Sequence, residues 1–238
     1  MQLSELKENS FIYVGPSWAA TSFGHEEPTN LLEQWELSAV NYSKRGKRNL
    51  DFIRIPDYNI DRPCVWVFCE PLVELFKGVR NPQEGDRDYP GIASYLDAFD
   101  HRLHHSKLKR QQLEQMNNLG VPIGLIGSHC DVYESDIQGL ENLSIIHPSW
   151  QQWMKDQCQL TDFTLNFGCD IANNMIQEIG FNNVPNKVLV DDIWNQYVTW
   201  NELQVQGLFH KTHPNRKSNI EFAKETRDAV VDFLKAVA

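Results

Sequence analysis

The chain has 238 residues, of which 41% are hydrophobic and 23% are charged, so it can form one large globular domain with a substantial core. Its formal net charge is −10, and so acidic a surface repels phosphate backbones, which argues against a nucleic-acid-binding protein. No stretch approaches the roughly 18 apolar residues of a membrane helix, and the first residues lack the apolar region of a signal peptide. We therefore expect no membrane association and a cytoplasmic protein, with the host cytoplasm or the virion as the setting if the chain is viral.

Short, continuous apolar runs predict strands that are covered on both faces. In chain order these runs are 11–14, 65–69 and 123–126, with weaker candidates at 38–42 and 144–146. Helical patterns lie between them at 30–37, 49–55 and 92–118. The last segment has the clearest helical periodicity, and Ser218 with Glu221 matches a capping box at its start.

The alternation of strands and helices predicts an α/β fold with a parallel sheet. We expect a three-layer α/β/α sandwich with about five strands, of the flavodoxin-like kind. No internal repeat or second domain is visible, so the chain is interpreted as a single domain, 1–238, with a loop or helical insertion around 71–118. The five cysteines form no C-x-x-C motif, and their number is odd, which favours reduced thiols in the core.

A serine follows the first predicted strand across a glycine and a proline. Gly15 permits a sharp turn, and Pro16 is suited to the start of a helix. The turn can therefore present Ser17 at the rim of the sheet as a nucleophile, although an ordinary strand-to-helix connection has the same pattern.

A serine nucleophile needs a general base, and His213 is the best placed histidine of the eight in the chain. It stands directly before Pro214, which keeps residue 213 out of helical geometry and on a loop before the final helix. If that helix packs beside the first strand, the imidazole reaches the carboxyl edge of the sheet, where open α/β sheets bind ligands.

The order of these motifs resembles that of the SGNH (GDSL-type) hydrolases. "VNYSKRGKRNLD" looks like their second block, and "CVWVFCEPLVEL" resembles the strand and turn of their third block. "IIHPSWQQWM" is similar to a segment of viral and bacterial relatives. The resemblance implies that the Gly46 N–H, with that of Ser17, binds an oxyanion, and that Asn49 and Glu70 lie in supporting positions.

The resemblance implies a serine-dependent hydrolase of small acyl esters, such as acetyl groups on a carbohydrate, with no cofactor or metal. Three positions depart from the family pattern: Pro16 replaces an aspartate, Glu70 an asparagine, and His210 the aspartate that orients the catalytic histidine. Asp191 or Asp192 is then the candidate orienting carboxylate. The alternative is a catalytically silent protein of the same fold, with a binding or structural role, for instance in a virus.

The remaining motifs favour structural interpretations over functional ones. His101, His104 and His105 share a helix face that can bind a transition metal, but the polar surroundings favour a solvated face. Two basic clusters are likewise interpreted as solvated faces: Lys44, Arg45, Lys47 and Arg48, and Lys107, Lys109 and Arg110. The residues expected to line the cleft are Trp18, His129 and His210; His129 precedes Cys130, for which a site-lining loop is favoured over a thiolate nucleophile. Trp66, Trp150 and Trp153 are expected in the core.

Overall fold

The computed structural model describes most of the chain, apart from two long segments and several short ones. The described residues are 9–22, 27–45, 47, 49–69, 98–128, 130–158, 205, 207–210 and 213–238, with only the backbone described at 98–105, 209 and 210. No described helix is both long enough and apolar enough to cross a lipid bilayer.

One parallel sheet organises the described residues, with the strand order β2-β1-β3-β4-β5. In chain order the strands are β1 (Ile12–Val14), β2 (Val40–Asn41), β3 (Cys64–Phe68), β4 (Ile123–Gly127) and β5 (Leu143–His147). Every residue of β1, β3 and β4 is buried, which explains why these strands are continuous apolar runs. The five predicted strands are thereby confirmed, with small differences at their ends.

Helices cover both faces of this sheet. In chain order they are α1 (Ser17–Ala20), α2 (Leu31–Trp35), α3 (Asn49–Arg54), α4 (Ala98–Asn117), α5 (Glu134–Ile137), α6 (Trp150–Gln157) and α7 (Arg216–Val237). Alternate strand residues such as Tyr13 and Val65 pack in one core with α1, α2, α6 and α7. Their neighbours, such as Val14 and Trp66, pack in a second core with α3, α4 and α5. The predicted α/β class is confirmed, and its layers are α, β and α.

The segment predicted as an insertion, 71–118, contains helix α4, which links β3 to β4 in the sheet. Leu113 and Met116 of α4 are fully buried in the core on that face. Residues 70–97 lie outside the described residues, so the remainder of the predicted insertion stays a prediction. Of the five cysteines, Cys64, Cys69, Cys130 and Cys158 are reduced and form no disulfide, as expected; Cys169 is not among the described residues.

The start of the last helix differs from the prediction. Helix α7 begins at Arg216, and the Asn215 side chain caps it by accepting the Ser218 N–H at 3.0 Å. Ser218 is therefore inside the first turn, and its hydroxyl accepts the Trp150 indole N–H at 3.1 Å. The capping-box prediction was wrong because Asn is as good an N-cap as Ser, while a buried indole N–H needs an acceptor.

Candidate active site

The strand order reverses between β1 and β3, and the proposed nucleophile lies at this reversal. From β1 the chain moves outwards to β2 and then returns to β3 on the other side of β1. In sheets of this kind, ligands bind outside the carboxyl ends of the strands at the point where the order reverses. Ser17, three residues after the end of β1, is therefore at the place where the fold favours a binding site.

Gly15 is required at the turn by close packing. A Cβ atom on Gly15 would lie 2.5 Å from the Ala19 Cβ and 2.9 Å from the Val67 Cβ, both closer than real side chains approach. Gly15 is not among the described glycines with positive φ, so it allows α1 to approach β3 rather than supplying a left-handed turn. The predicted turn is present, but its physical reason is this contact.

Pro16 is the N-cap of α1 and not its first helical residue. Its backbone is extended, with φ −74° and ψ −156°, and its carbonyl accepts the N–H groups of Ala19 and Ala20, both at 3.0 Å. Ser17 is thus the first helical residue, where an N–H has no acceptor within the helix. Pro16 lacks only its own N–H, so its presence leaves the Ser17 N–H available as a donor.

The Tyr13 side chain links β1 to α1. Its buried hydroxyl donates to the Ala19 carbonyl at 3.1 Å, and its ring meets Trp35 edge to face at 5.6 Å between centroids. Burial raises the pKa of Tyr13 far above its ordinary value, so the phenol stays protonated and remains a donor. The helix that carries Ser17 is therefore held from β1 itself, a support that the apolar run alone did not reveal.

His213 contacts Ser17, although the two residues are far apart in the sequence. Its Nε2 lies 2.8 Å from the Ser17 Oγ, although the two residues are 196 positions apart. His213 belongs to strand β7 (His213–Pro214), which pairs antiparallel with β6 (Phe209–His210) and contacts α1. The side chain is half-buried. The predicted meeting of these two side chains is observed, and the tautomer with a bare Nε2 accepts the serine proton.

Asn49 supports the end of β3 and has no donor left for an oxyanion. Its Nδ2 donates to the Cys69 carbonyl at 3.0 Å and to the Gln112 Oε1 at 2.8 Å. Its Oδ1 accepts the Cys69 N–H at 3.1 Å and the Trp66 indole N–H at 3.4 Å. The predicted supporting position is compatible with this arrangement, but direct contact with an oxyanion is not, because both amide hydrogens are already used.

The segment after β2 runs beside the serine turn. The Tyr42 N–H donates to the Tyr13 carbonyl at 2.9 Å, and the Lys44 N–H donates to the Gly15 carbonyl at 3.0 Å. Gly46, the predicted second oxyanion donor, follows two residues later and lies outside the described residues. The described neighbours therefore bring this part of the chain to the serine turn without placing the Gly46 N–H.

The side chains of five predicted site residues lie outside the described part of the chain. Glu70, His129, Asp191 and Asp192 lie outside the described residues, and only the backbone of His210 is described, paired with His213. Ser128, next to His129, donates its hydroxyl to the Phe68 carbonyl at 2.7 Å. The loop after β4 is thus attached to the end of β3, close to the predicted site.

Trp18 does not line an open cleft, contrary to the prediction. Only 2% of its surface is exposed, and its ring packs edge to face against Trp150 at 5.8 Å. Trp18 follows Ser17 on α1 and turns to the core because a four-residue helix must bury one face against the sheet. Trp66, Trp150 and Trp153 are buried as expected.

The alternative chemistries find no support among the described side chains. No group of three His, Cys, Asp or Glu residues is placed to hold a metal in the part of the chain that is described. His101, His104 and His105 lie on α4 where only the backbone is described. Cys130 is 4% exposed, within the core.

Sequence reasoning missed Gln112, a polar residue that completes the support of β3. It is 1% exposed and accepts from Asn49, yet in the sequence it follows the basic cluster of α4 and is indistinguishable from a surface residue.

Comparisons with protein-family models, curated proteins and solved structures find no match to this chain. The contact between Ser17 and His213 is therefore the main observation from which a function can be inferred.

Proposed function

We propose that this protein is a serine-dependent hydrolase of small acyl esters, of the SGNH type that its motifs resemble, with carbohydrate O-acetyl groups among its substrates. The observation that carries the proposal is the 2.8 Å separation between the Ser17 Oγ and the His213 Nε2. The contact lies where the strand order reverses, the place at which folds of this class bind ligands.

The proposed reaction uses the serine as nucleophile and the histidine as base. His213 accepts the hydroxyl proton while the Ser17 Oγ attacks the carbonyl carbon, which gives a tetrahedral oxyanion. The imidazolium then protonates the leaving alcohol as the ester C–O bond breaks. A water molecule repeats the sequence on the acyl-enzyme and releases the carboxylic acid and the free serine.

The Ser17 N–H, at the first position of α1, is one proposed donor to the oxyanion. Gly46 is the second, and the Lys44–Gly15 hydrogen bond brings its chain segment to the serine turn. Asp191 or Asp192 is the proposed orienting carboxylate. Each donor contributes about 10²–10³ in rate, and a correctly matched orienting carboxylate about 10⁴.

Hydrolysis of 4-nitrophenyl acetate tests the proposal. Ser17→Ala and His213→Gln should each lower kcat/KM by at least about 10³-fold, because the nucleophile and its base act as one unit. Ser144→Ala, at an exposed serine of β5, is the matched control and should keep the native rate. Equal rates for the native protein and Ser17→Ala would contradict the nucleophile assignment.

The second candidate is a catalytically silent binding protein of the same fold. It is favoured by Glu70, whose carboxylate stands where the resemblance places an oxyanion-binding amide, and by Asn49, whose amide is already used. A fluorophosphonate probe separates the two candidates. Labelling of Ser17 that disappears in His213→Gln supports the hydrolase, whereas a folded native protein that resists the probe supports the silent protein.

A further inference from the structure

We infer that the ester substrate carries a negatively charged group, recognised by the lysines of residues 42–45 and 47, which we call the basic loop. The inference rests on the proposed hydrolase function and adds a substrate class to it. The sequence-based interpretation treated Lys44, Arg45, Lys47 and Arg48 as a solvated face. The inference revises this for the two lysines, because their loop lies beside Ser17 and neither lysine forms an ion pair with a described residue.

The basic loop lies next to the nucleophile. Its backbone continues the pairing of β2 with β1 through the Tyr42 N–H to the Tyr13 carbonyl, and then through the Lys44 N–H to the Gly15 carbonyl at 3.0 Å. Gly15 is two residues before Ser17. A lysine side chain that starts from this position is long enough to bring its ammonium group over the site.

The lysines of the basic loop form no ion pair with the acidic residues that the structure describes. Lys44 is exposed and Lys47 is half-buried, and neither forms an ion pair within the described part of the chain. Arg45 is also exposed. The nearest acidic residue along the sequence is Asp51, in the first turn of α3.

The second basic cluster, on α4, provides the contrast within the same chain. There Lys109 is paired with Asp136, and Arg110 with Glu114 at 2.9 Å. Arg110 also donates to the carbonyls of Asp136 and Gln138. Lys109 and Arg110 thus have structural partners, whereas the two lysines of the basic loop form no ion pair with a described residue and lie beside a candidate active site in a protein of net charge −10.

Unpaired lysines beside a catalytic serine favour a small ester that also carries a carboxylate or a phosphate. An acidic protein surface repels any such substrate at long range, so local positive charge is needed at the site that accepts it. Exposed ammonium groups act as point charges without fixed geometry. The basic loop therefore selects for charge and leaves the rest of the substrate to other contacts.

Three acetate esters of similar size test this inference: 4-acetoxybenzoate, 4-acetoxyphenyl phosphate and the neutral 4-acetoxybenzamide. The quantity compared is the ratio of kcat/KM for each anionic ester to that for the neutral ester, after subtraction of the rate of Ser17→Ala. Lys44→Gln and Lys47→Gln should each lower this ratio about three-fold, and the double variant about ten-fold. The matched control is Lys107→Gln, an exposed lysine of α4, which should leave the ratio unchanged.

The salt dependence of this kcat/KM ratio is an independent test of the charge preference. In the native protein the ratio should fall towards that of the double variant in about 1 M salt, where the Debye length is about 3 Å. A larger ratio for the carboxylate or for the phosphate ester identifies which anion the site prefers. A ratio that the double variant and salt both leave unchanged would overturn the inference while the hydrolase function stands.

Failure of the hydrolase function gives a different result. In that case no ester shows a Ser17-dependent rate, and binding replaces turnover as the readout. Calorimetry then compares 4-hydroxybenzoate and 4-hydroxyphenyl phosphate with 4-hydroxybenzamide. Anion-selective binding that is lost in the double variant supports anion recognition by the basic loop without an ester substrate, and equal binding of all three compounds overturns that recognition as well.

Discussion

The turn after β1 and the end of β3, which lie where the strand order reverses, are held in different ways. The turn after β1 is fixed by residues close in sequence: Tyr13 donates to Ala19, and the Pro16 carbonyl accepts from the start of α1. The end of β3 is fixed by residues far away in sequence, because Asn49 contacts Cys69 and Ser128 contacts Phe68. Local hydrogen bonds hold the serine turn, although its close packing against Val67 of β3 is not local, whereas the end of β3 requires the assembled fold.

This difference leads us to expect that the two regions affect the candidate site in different ways. The serine turn carries Ser17, the proposed nucleophile, whose position must survive small movements of the rest of the molecule. The end of β3 is built from three chain segments, which meet at Asn49, Cys69 and Ser128. We therefore expect substitutions around β3 to affect global stability and site geometry together, and substitutions in the serine turn to act mainly on α1.

Removal of the Asn49 side chain should have the largest effect. Asn49→Ala removes the buried hydrogen bonds that its side chain makes with the Cys69 N–H and carbonyl, at about 1–3 kcal/mol for each group, so we expect a loss of about 4 kcal/mol in the free energy of unfolding. Urea denaturation measures it. Asn59→Ala is the matched control, since the only hydrogen bond of its exposed amide to a described residue is to the exposed Asp61, and its effect should stay within about 0.5 kcal/mol. Equal losses in both variants would show that the Asn49 contacts do not hold β3.

Gly15→Ala comes next and tests the serine turn by steric conflict. The new methyl group would lie 2.5 Å from the Ala19 Cβ and 3.1 Å from the Val67 carbonyl oxygen, so α1 must move away from β3. Overpacking of this kind costs about 3 kcal/mol, and the displaced Ser17 should also lose its reactivity towards a fluorophosphonate.

Gly139→Ala is the matched control for that substitution. Its φ is +76° and no atom lies within 4 Å of the place that the new methyl group would take, so it carries backbone strain without a clash. Its cost should be about 1 kcal/mol, with labelling of Ser17 retained. Loss of labelling in both variants would mean that general destabilisation, and not the position of α1, controls the reactivity of the serine.

Tyr13→Phe tests the single hydrogen bond that links β1 to α1. The variant leaves the buried Ala19 carbonyl without its donor and should cost about 1–2 kcal/mol, measured by thermal unfolding. Tyr58→Phe is the control, because Tyr58 packs against Phe52 and Tyr42 without a hydrogen bond from its hydroxyl to any described group. A cost for Tyr13→Phe no larger than for the control would mean that packing alone holds α1.

The sequence was sufficient for features that depend on local patterns. Apolar runs predicted β1, β3 and β4, and Pro214 indicated that His213 lies outside a helix. The prediction that His213 reaches Ser17 required in addition that the last helix pack beside the first strand. The Asn49–Cys69 contacts were not predictable, because nothing near Asn49 indicates that β3 ends beside it. Trp18 was misplaced for a related reason: the sequence shows that it follows the serine, but not that Trp150 covers it. The chemistry of Ser17 and the carboxylate behind His213 stay predictions.

The smallest predicted effect is the pH dependence of stability that His147 contributes, at the end of a third strand. At the end of β5 its Nδ1 accepts the Ser149 N–H at 3.2 Å, and its ring packs against Phe222 at 4.8 Å. Burial lowers the pKa of His147 below its ordinary value, partly offset by Glu225 and Asp156. The unfolded chain therefore binds more protons than the folded protein as pH falls below about 6.5, and stability decreases on acidification until the folded-state pKa is passed.

Unfolding free energies at pH 7.5 and pH 5.5 test this linkage. His147→Leu should lose less stability than the native protein between these pH values, because its side chain does not titrate. Glu225→Gln should lose more, because removal of a nearby negative charge lowers the pKa of His147 further. The same pH dependence in all three proteins would show that the contact at the end of β5, although local like that of the serine turn, is insensitive to the protonation of its histidine.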